Sequence, residues 1–217
     1  MINTQSLTKI IPLKHKELCI LSDITIDTTD SHINILYGKS GSGKTTLMHL
    51  LAGLDVPTTG DCWVDNTQVS SLTTDERARF RLYQVGMVYQ FFNLIPNLTL
   101  EENIRLPLIM QNKPNQTFDD ICDYLGIQTI LSQFPNDCSG GELQRASFAR
   151  AMVTRPAVIL ADEPTGNLDS HNRERMMALI QSCATDFGTT FFIATHDDAF
   201  KSIATQQFTL VDGVITS

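Results

Sequence analysis

The run Gly38-Lys39-Ser40-Gly41-Ser42-Gly43-Lys44-Thr45 fits the spacing G-x-x-x-x-G-K-S/T from end to end. Its residue types suit one task, wrapping a chain of phosphates. Glycines let consecutive backbone N–H groups curl around anionic oxygens where a Cβ would intrude. A helix that begins at the end of the loop aims the positive end of its dipole at the same anion. Lys44 then reaches the β- and γ-phosphates, and the Thr45 hydroxyl suits Mg²⁺. Thr46 follows directly and is counted among the nucleotide contacts. A pair of acids adds chemistry. Asp162-Glu163 follows the apolar run Ala157–Ala161, and ligands of α/β sheets bind beyond the carboxyl ends of strands. Asp162 would join the Mg²⁺ shell, and Glu163 would act as general base on the attacking water. Taken alone, the two acids serve equally well as a cap on the turn Pro164-Thr165-Gly166. A second glycine cradle, Ser139-Gly140-Gly141-Glu142, precedes Leu143, Ala146, Ala149 and Met152 at helical spacing. In isolation such a tripeptide is an ordinary turn. Together, two cradles and an acidic pair suggest a nucleotide clamped from two sides.

These residues need elements to position them. Ile33–Tyr37 reads as a strand running into the first loop, and Thr45–Ala52 as the helix leaving it, closed by Gly53. Leu18–Leu21 and Ile24–Ile26 read as short strands, and Cys62-Trp63-Val64 as another before the turn Asp65-Asn66. Thr73 and Glu76 have capping-box spacing and open a helix through about Leu82. Val85–Tyr89 is expected as a core strand ending at Gln90. From Phe91 to about Pro135 the pattern turns helical and polar, with Pro96, Pro107 and Pro114 as breakers. Ala157–Ala161 and Thr190–Ala194 are uninterrupted apolar runs, as strands buried on both faces of a parallel sheet require. Asp212-Gly213 marks a late hairpin turn. Strands alternating with helices indicate an α/β fold.

The bulk numbers bound the function. At 217 residues and 42% hydrophobic content the chain can bury one full core. A net charge of −8 opposes nucleic-acid binding through a broad basic surface. No apolar run reaches the roughly 18–20 residues that cross a bilayer, and the N-terminus lacks the pattern of a signal peptide. A cytoplasmic chain is expected, with any membrane work done by a separate partner. Cys19, Cys62, Cys122, Cys138 and Cys183 are scattered without a Cys-x-x-Cys pair and read as free thiols. His15 and Cys19 have ligand-like spacing, but nothing nearby completes a metal site.

Cys138-Ser139-Gly140-Gly141-Glu142-Leu143-Gln144-Arg145 resembles the signature motif of ABC-type ATPases, and its distance ahead of Val158–Glu163 fits as well. Gln90 resembles the glutamine-loop residue, Asn167-Leu168-Asp169 the D-loop, and His196 in Ala194-Thr195-His196-Asp197 the switch histidine. Six motifs stand in family order along nearly the whole chain. The resemblance implies an α/β P-loop NTPase core with a mostly parallel sheet, an N-terminal antiparallel β subdomain and a helical subdomain bearing the signature. On that pattern residues 1–90 and 155–217 form the core of a single domain, and 91–154 the helical subdomain. It implies ATP and Mg²⁺, with Thr45, Gln90 and Asp162 at the metal and Gln90 linking metal and water to the helical subdomain. His196 would hydrogen-bond the γ-phosphate or orient water. It also implies a head-to-tail homodimer in which Ser139 and Gly141 contact the γ-phosphate held by the opposite copy's Lys44, with Asp169 supporting the dimer contact.

Phe91–Asn103 and Ala161–Asp169 are similar to the group serving lipoprotein release, macrolide efflux and the bacterial cell-division ABC complex. Those ATPases pair with a transmembrane permease subunit. The expected function is therefore an ATPase subunit powering export or extrusion through such a permease, the alternative being regulation of a membrane partner without transport. Phe91, Phe92, Leu94 and Ile95 fit core packing and a docking surface for that partner equally well. Two positions depart from the family. Ile11, or Ile10, stands where many relatives stack an aromatic ring on adenine, which predicts weaker discrimination of ATP from GTP. Cys138 stands where the signature usually has leucine, which predicts a change of packing with activity retained.

Overall fold

A strand that is apolar at every position must be covered on both faces, and a sheet built from such strands forms the centre of the molecule. The computed structural model describes residues 1–14, 16–28, 32–113 and 116–216. Along the chain run β1 (Ile2–Pro12), β2 (Glu17–Asp27), β3 (Ile33–Tyr37), α1 (Lys44–Leu51), β4 (Thr59–Val64), β5 (Thr67–Gln68), α2 (Thr74–Tyr83) and β6 (Val85–Val88). There follow α3 (Leu100–Gln111), α4 (Gln116–Tyr124), α5 (Gly140–Met152), β7 (Val158–Asp162), α6 (Ser170–Phe187), β8 (Thr190–Thr195), β9 (Gln206–Val211) and β10 (Val214–Thr216). The central sheet has the order β10-β9-β3-β8-β7-β6, parallel from β9 to β6, with β10 antiparallel at the edge. A second, antiparallel sheet has the order β2-β1-β4-β5.

Alternation along the central strands sorts two cores. Ile35, Ile159, Ala161, Phe191 and Ile193 face one side, where α3, α4, α5 and α6 pack. Leu36, Val158, Leu160, Phe192 and Ala194 face the other, against α1 and the antiparallel sheet. A parallel sheet points all its carboxyl ends one way. The register pairs Tyr37 with Thr195, Asp162 with Ala194, and Val88 with Ala161. The residues just beyond β3, β8, β7 and β6 therefore share one edge.

Several sequence expectations are corrected. Leu18–Leu21 and Ile24–Ile26 are parts of one strand, β2, interrupted by a shift of register and a left-handed Asp23 at φ 53° rather than by a turn. β6 ends at Val88, so Gln90 lies two residues past the strand. Pro107 does not break a helix; it lies inside α3. Thr99 and Glu102 form a capping box at the start of α3, and Leu100, Ile104 and Leu108 are buried in the helical core. Burying each is worth about 1.5–3 kcal/mol, which outweighs the roughly 3 kcal/mol cost of an interior proline. Gln111 at the end of α3 also donates to the Leu82 carbonyl of α2. Pro114 and His15 lie outside the described residues. The apolar segment after Gln90 divides: Leu94 packs against the helical core, Phe92 is half-buried, and Phe91 is 72% exposed with Ile95 also exposed. Cys138 packs against the same core, and all five cysteines are unpaired.

Candidate functional site

The phosphate loop is built by β3 and α1. β3 delivers the chain to Gly38, and α1 starts at Lys44 with Gly43 as its N-cap at φ 105°. A Cβ at Gly43 would stand 2.8 Å from Leu21 Cδ2 and 3.0 Å from the Ile20 carbonyl oxygen. Glycine is thus required there by both backbone conformation and the close approach of β2. Lys44 is only 6% exposed. Its ammonium donates to the Gly38 carbonyl at 2.6 Å and the Lys39 carbonyl at 3.2 Å, and lies 3.4 Å from Glu163 Oε1.

The acidic pair arrives at the end of β7. Thr45 Oγ1 donates to Asp162 Oδ2 at 2.7 Å, which joins the first turn of α1 to the strand end. Asp162 Oδ1 is buried and, among the described residues, has no hydrogen-bond partner. Burial pushes the Asp162 carboxyl up; the Thr45 hydroxyl opposes that shift, and the neighbouring Glu163 charge adds to it. A hydroxyl bound to one carboxylate oxygen and a desolvated second oxygen without a donor make a donor set suited to a hard cation.

Glu163 adopts a left-handed backbone, φ 48°, with its amide donating to the Ala194 carbonyl at 2.8 Å. This aims the carboxylate across the ends of β7 and β8. It accepts from Thr195 Oγ1 at 3.2 Å, and His196 Nδ1 lies 2.9 and 3.0 Å from its two oxygens. Glu163 thus stands between the Lys44 ammonium and the His196 imidazole. A cavity of about 360 Å³ opens here, lined by Ser40, Gly41, Gly43, Lys44, Thr45, Thr46, Gln90, Asp162, Glu163 and His196, with Ile20 as an apolar wall. Gly38, Lys39, Ser40, Gly41 and Ser42 also line an adjoining cavity of about 540 Å³.

The remaining expected site residues lie elsewhere. Ile11, near the end of β1, is 39% exposed and lines neither cavity; nor does Ile10. Ser139 caps α5: its amide and hydroxyl donate to Glu142 Oε2 at 2.8 and 2.6 Å, and these bonds hold the Glu142 carboxyl below its ordinary range. A Cβ at Gly141 would stand 2.9 Å from Asn172 Oδ1. Asp169 caps α6 by accepting from the Asn172 amide at 2.9 Å. Gly141, Leu168 and Asn172 border a third hollow, of about 310 Å³, that shares none of its lining with the Lys44 cavity. Within one chain, then, Ser139, Gly141 and Asp169 do not join Lys44. Sequence reasoning missed Thr195 and Ile20 at the site. It also missed Asn167 Nδ2, which donates to the Gln90 carbonyl at 2.6 Å. The D-loop and switch-histidine motifs include Asn167 and Thr195 without giving either a role, and no local pattern marks Ile20.

Comparison with known proteins agrees with this geometry. The family model described as "ABC transporter" matches residues 21–166. The chain is 40% identical to the ABC transporter ATP-binding protein YtrE of Bacillus subtilis over 206 residues, 93% of this chain and 89% of YtrE. It is 39% identical to the lipoprotein-releasing system ATP-binding protein LolD of Bacteroides fragilis over 219 residues, 99% of this chain and 100% of LolD. Among solved structures, the dimeric post-hydrolysis state of the ATP-binding cassette MJ0796 bound to ADP and Pi superposes with a TM-score of 0.91 at 31% identity, covering 100% of this chain and 97% of that one. With a phosphate loop, an acidic strand end and a histidine converging on one cavity, the chain belongs to the ABC transporter family, as an ATP-binding and ATP-hydrolysing cassette.

Proposed function

We propose that this cassette closes as a homodimer on ATP and Mg²⁺ and thereby drives a separate transmembrane permease subunit in export or in extrusion of lipoproteins. The observation that carries the reading is the setting of Glu163, 3.4 Å from Lys44 and 2.9 Å from His196 at the mouth of the phosphate loop. Lys44 exchanges its carbonyl partners for the β- and γ-phosphate oxygens of ATP. Glu163 takes a proton from the water that attacks the γ-phosphorus. The bond from that phosphorus to the β-bridging oxygen breaks, giving ADP and phosphate. Thr195 and His196 fix the direction of the Glu163 carboxylate during that transfer. Asp162, Thr45 and Gln90 would hold Mg²⁺, which supplies positive charge to the phosphate oxygens.

The second half of the proposal answers a separation. Ser139 and Gly141 lie at the N-terminus of α5, away from Lys44, so a second copy facing head-to-tail is needed to bring them to the same triphosphate. The similar cassette MJ0796 is dimeric, and Asp169 would support the proposed contact. In this reading residues 1–90 and 155–217 act as the nucleotide-binding core and 91–154 as the helical subdomain. No helix among the described residues is long and apolar enough to cross a membrane. In this reading the cassette works on the cytoplasmic face, bound to its permease.

Replacing Glu163 by Gln tests the mechanism. Hydrolysis should fall by about 10²–10⁴, while nucleotide binding persists and a dimer accumulates on gel filtration with Mg-ATP. Lys44→Ala should instead weaken nucleotide binding itself. Undiminished hydrolysis by Glu163→Gln would falsify the general-base role, and a monomer at saturating Mg-ATP would sink the dimer. Affinity purification from detergent-solubilised membranes should bring down a multi-spanning protein.

A further inference from the structure

The loop that carries Gln90 is gripped from two sides by groups outside the phosphate cavity. Gln90 lines that cavity, and its backbone carbonyl accepts the 2.6 Å hydrogen bond from Asn167. Just beyond it, Phe92 and Asn93 both adopt left-handed backbone, φ 52° each. Residues with a Cβ rarely hold that conformation unless their surroundings impose it. The imposing groups come from α5. Arg150 donates to the Asn93 carbonyl at 2.6 Å and to the Phe92 carbonyl at 3.0 Å, and Ser147 Oγ donates to the same Phe92 carbonyl at 3.0 Å. Among the described residues no carboxylate lies within ion-pair distance of Arg150. Its charge is directed at backbone carbonyls instead. A planar guanidinium can meet two neighbouring carbonyls at once, which a single ammonium does less well. Its helix, α5, is the one whose first turn carries Gly141.

We propose that Arg150 and Asn167 are positioning residues for ATP hydrolysis. By clamping the loop Gln90–Asn93 between α5 and the turn after Glu163, they set where the Gln90 side chain stands in the cavity. The inference rests on the reading of Gln90 as a residue that orders metal and water. Loss of Arg150 leaves the Asn93 carbonyl without its donor and the Phe92 carbonyl with Ser147 alone, and lets the left-handed turn relax. Gln90 then shifts, while the phosphate loop, built by β3 and α1, keeps its geometry. Shifts on the order of 1 Å at such a residue cost up to about a hundredfold in turnover.

The test is the steady-state ATPase activity of the full-length chain. Arg150→Gln, Arg150→Lys and Asn167→Ala are each measured in the natural background and together with Gln90→Ala. Each single change should lower kcat at least about tenfold and leave KM for ATP within about twofold, with Arg150→Lys losing less than Arg150→Gln. In the Gln90→Ala background the same changes should cost almost nothing more, because the residue they act through is gone. Losses that multiply in that background would overturn the inference and leave the reading of Gln90 intact. An unchanged kcat for Gln90→Ala alone would overturn both. If Arg150→Gln does not fold, Arg150→Lys and Asn167→Ala carry the same comparison, and an unchanged kcat in both refutes the clamp.

Discussion

A buried ammonium needs oxygen partners, and Lys44 has two carbonyls and a carboxylate as its partners. Such a cation is ready to trade neutral acceptors for phosphate oxygens, since the charged acceptors bind about twice as strongly. The same scale decides base recognition. In the proposed reading Ile11 would meet the base without a ring, and aromatic stacking is worth about 0.5–1.5 kcal/mol beyond area alone. Ile11→Tyr should therefore raise the preference for ATP over GTP by about two- to tenfold, read as the ratio of dissociation constants in a fluorescent-nucleotide displacement assay. An unchanged ratio would show that position 11 does not face the base.

At the scale of elements, caps and cores compete with local breakers. α3 carries Pro107 in its interior because its capping box and buried leucine–isoleucine face hold it together. Pro107→Ala restores an N–H and removes a ring from the helix, and should raise stability by about 1–2 kcal/mol in urea unfolding. A loss of stability would show that the ring itself packs. α5 depends on a charge at its start. The Ser139 hydroxyl and amide hold the Glu142 carboxyl below its ordinary value of 4.5. A lowered folded value means the cap contributes fully above 4.5 and is lost as the pH falls through the folded value. The melting temperature of the natural protein should thus drop below pH 4.5 more steeply than that of Glu142→Gln; parallel curves would refute the linkage.

For the whole molecule, the central sheet that ends at the phosphate site packs directly against the helical layer. Phe148 of α5 stacks on Phe191 of β8, with ring centroids 5.9 Å apart and planes 2° from parallel. Phe148→Ala would empty that contact in a fully buried layer and should destabilise the fold by about 3–5 kcal/mol, measured by chemical denaturation. A cost under about 1 kcal/mol would mean that the layer collapses onto the gap.

The chain by itself determined several features that a short window can hold, though not all: the Thr99–Glu102 capping box and the unbroken β2 were equally local and went unread. The phosphate loop, the Thr73–Glu76 capping box, the Asp212-Gly213 turn with φ of 47° and 79°, and the doubly buried strands are all contiguous patterns whose chemistry is local. Tertiary structure alone decided which acid meets which base. Glu163 reaches His196 across 33 residues, and Asn167 reaches the Gln90 carbonyl across 77. Those pairings follow from the strand order β3-β8-β7-β6, which brings four carboxyl ends to one edge. Strand order is set by how whole layers bury their apolar faces, and no local run of residues encodes it.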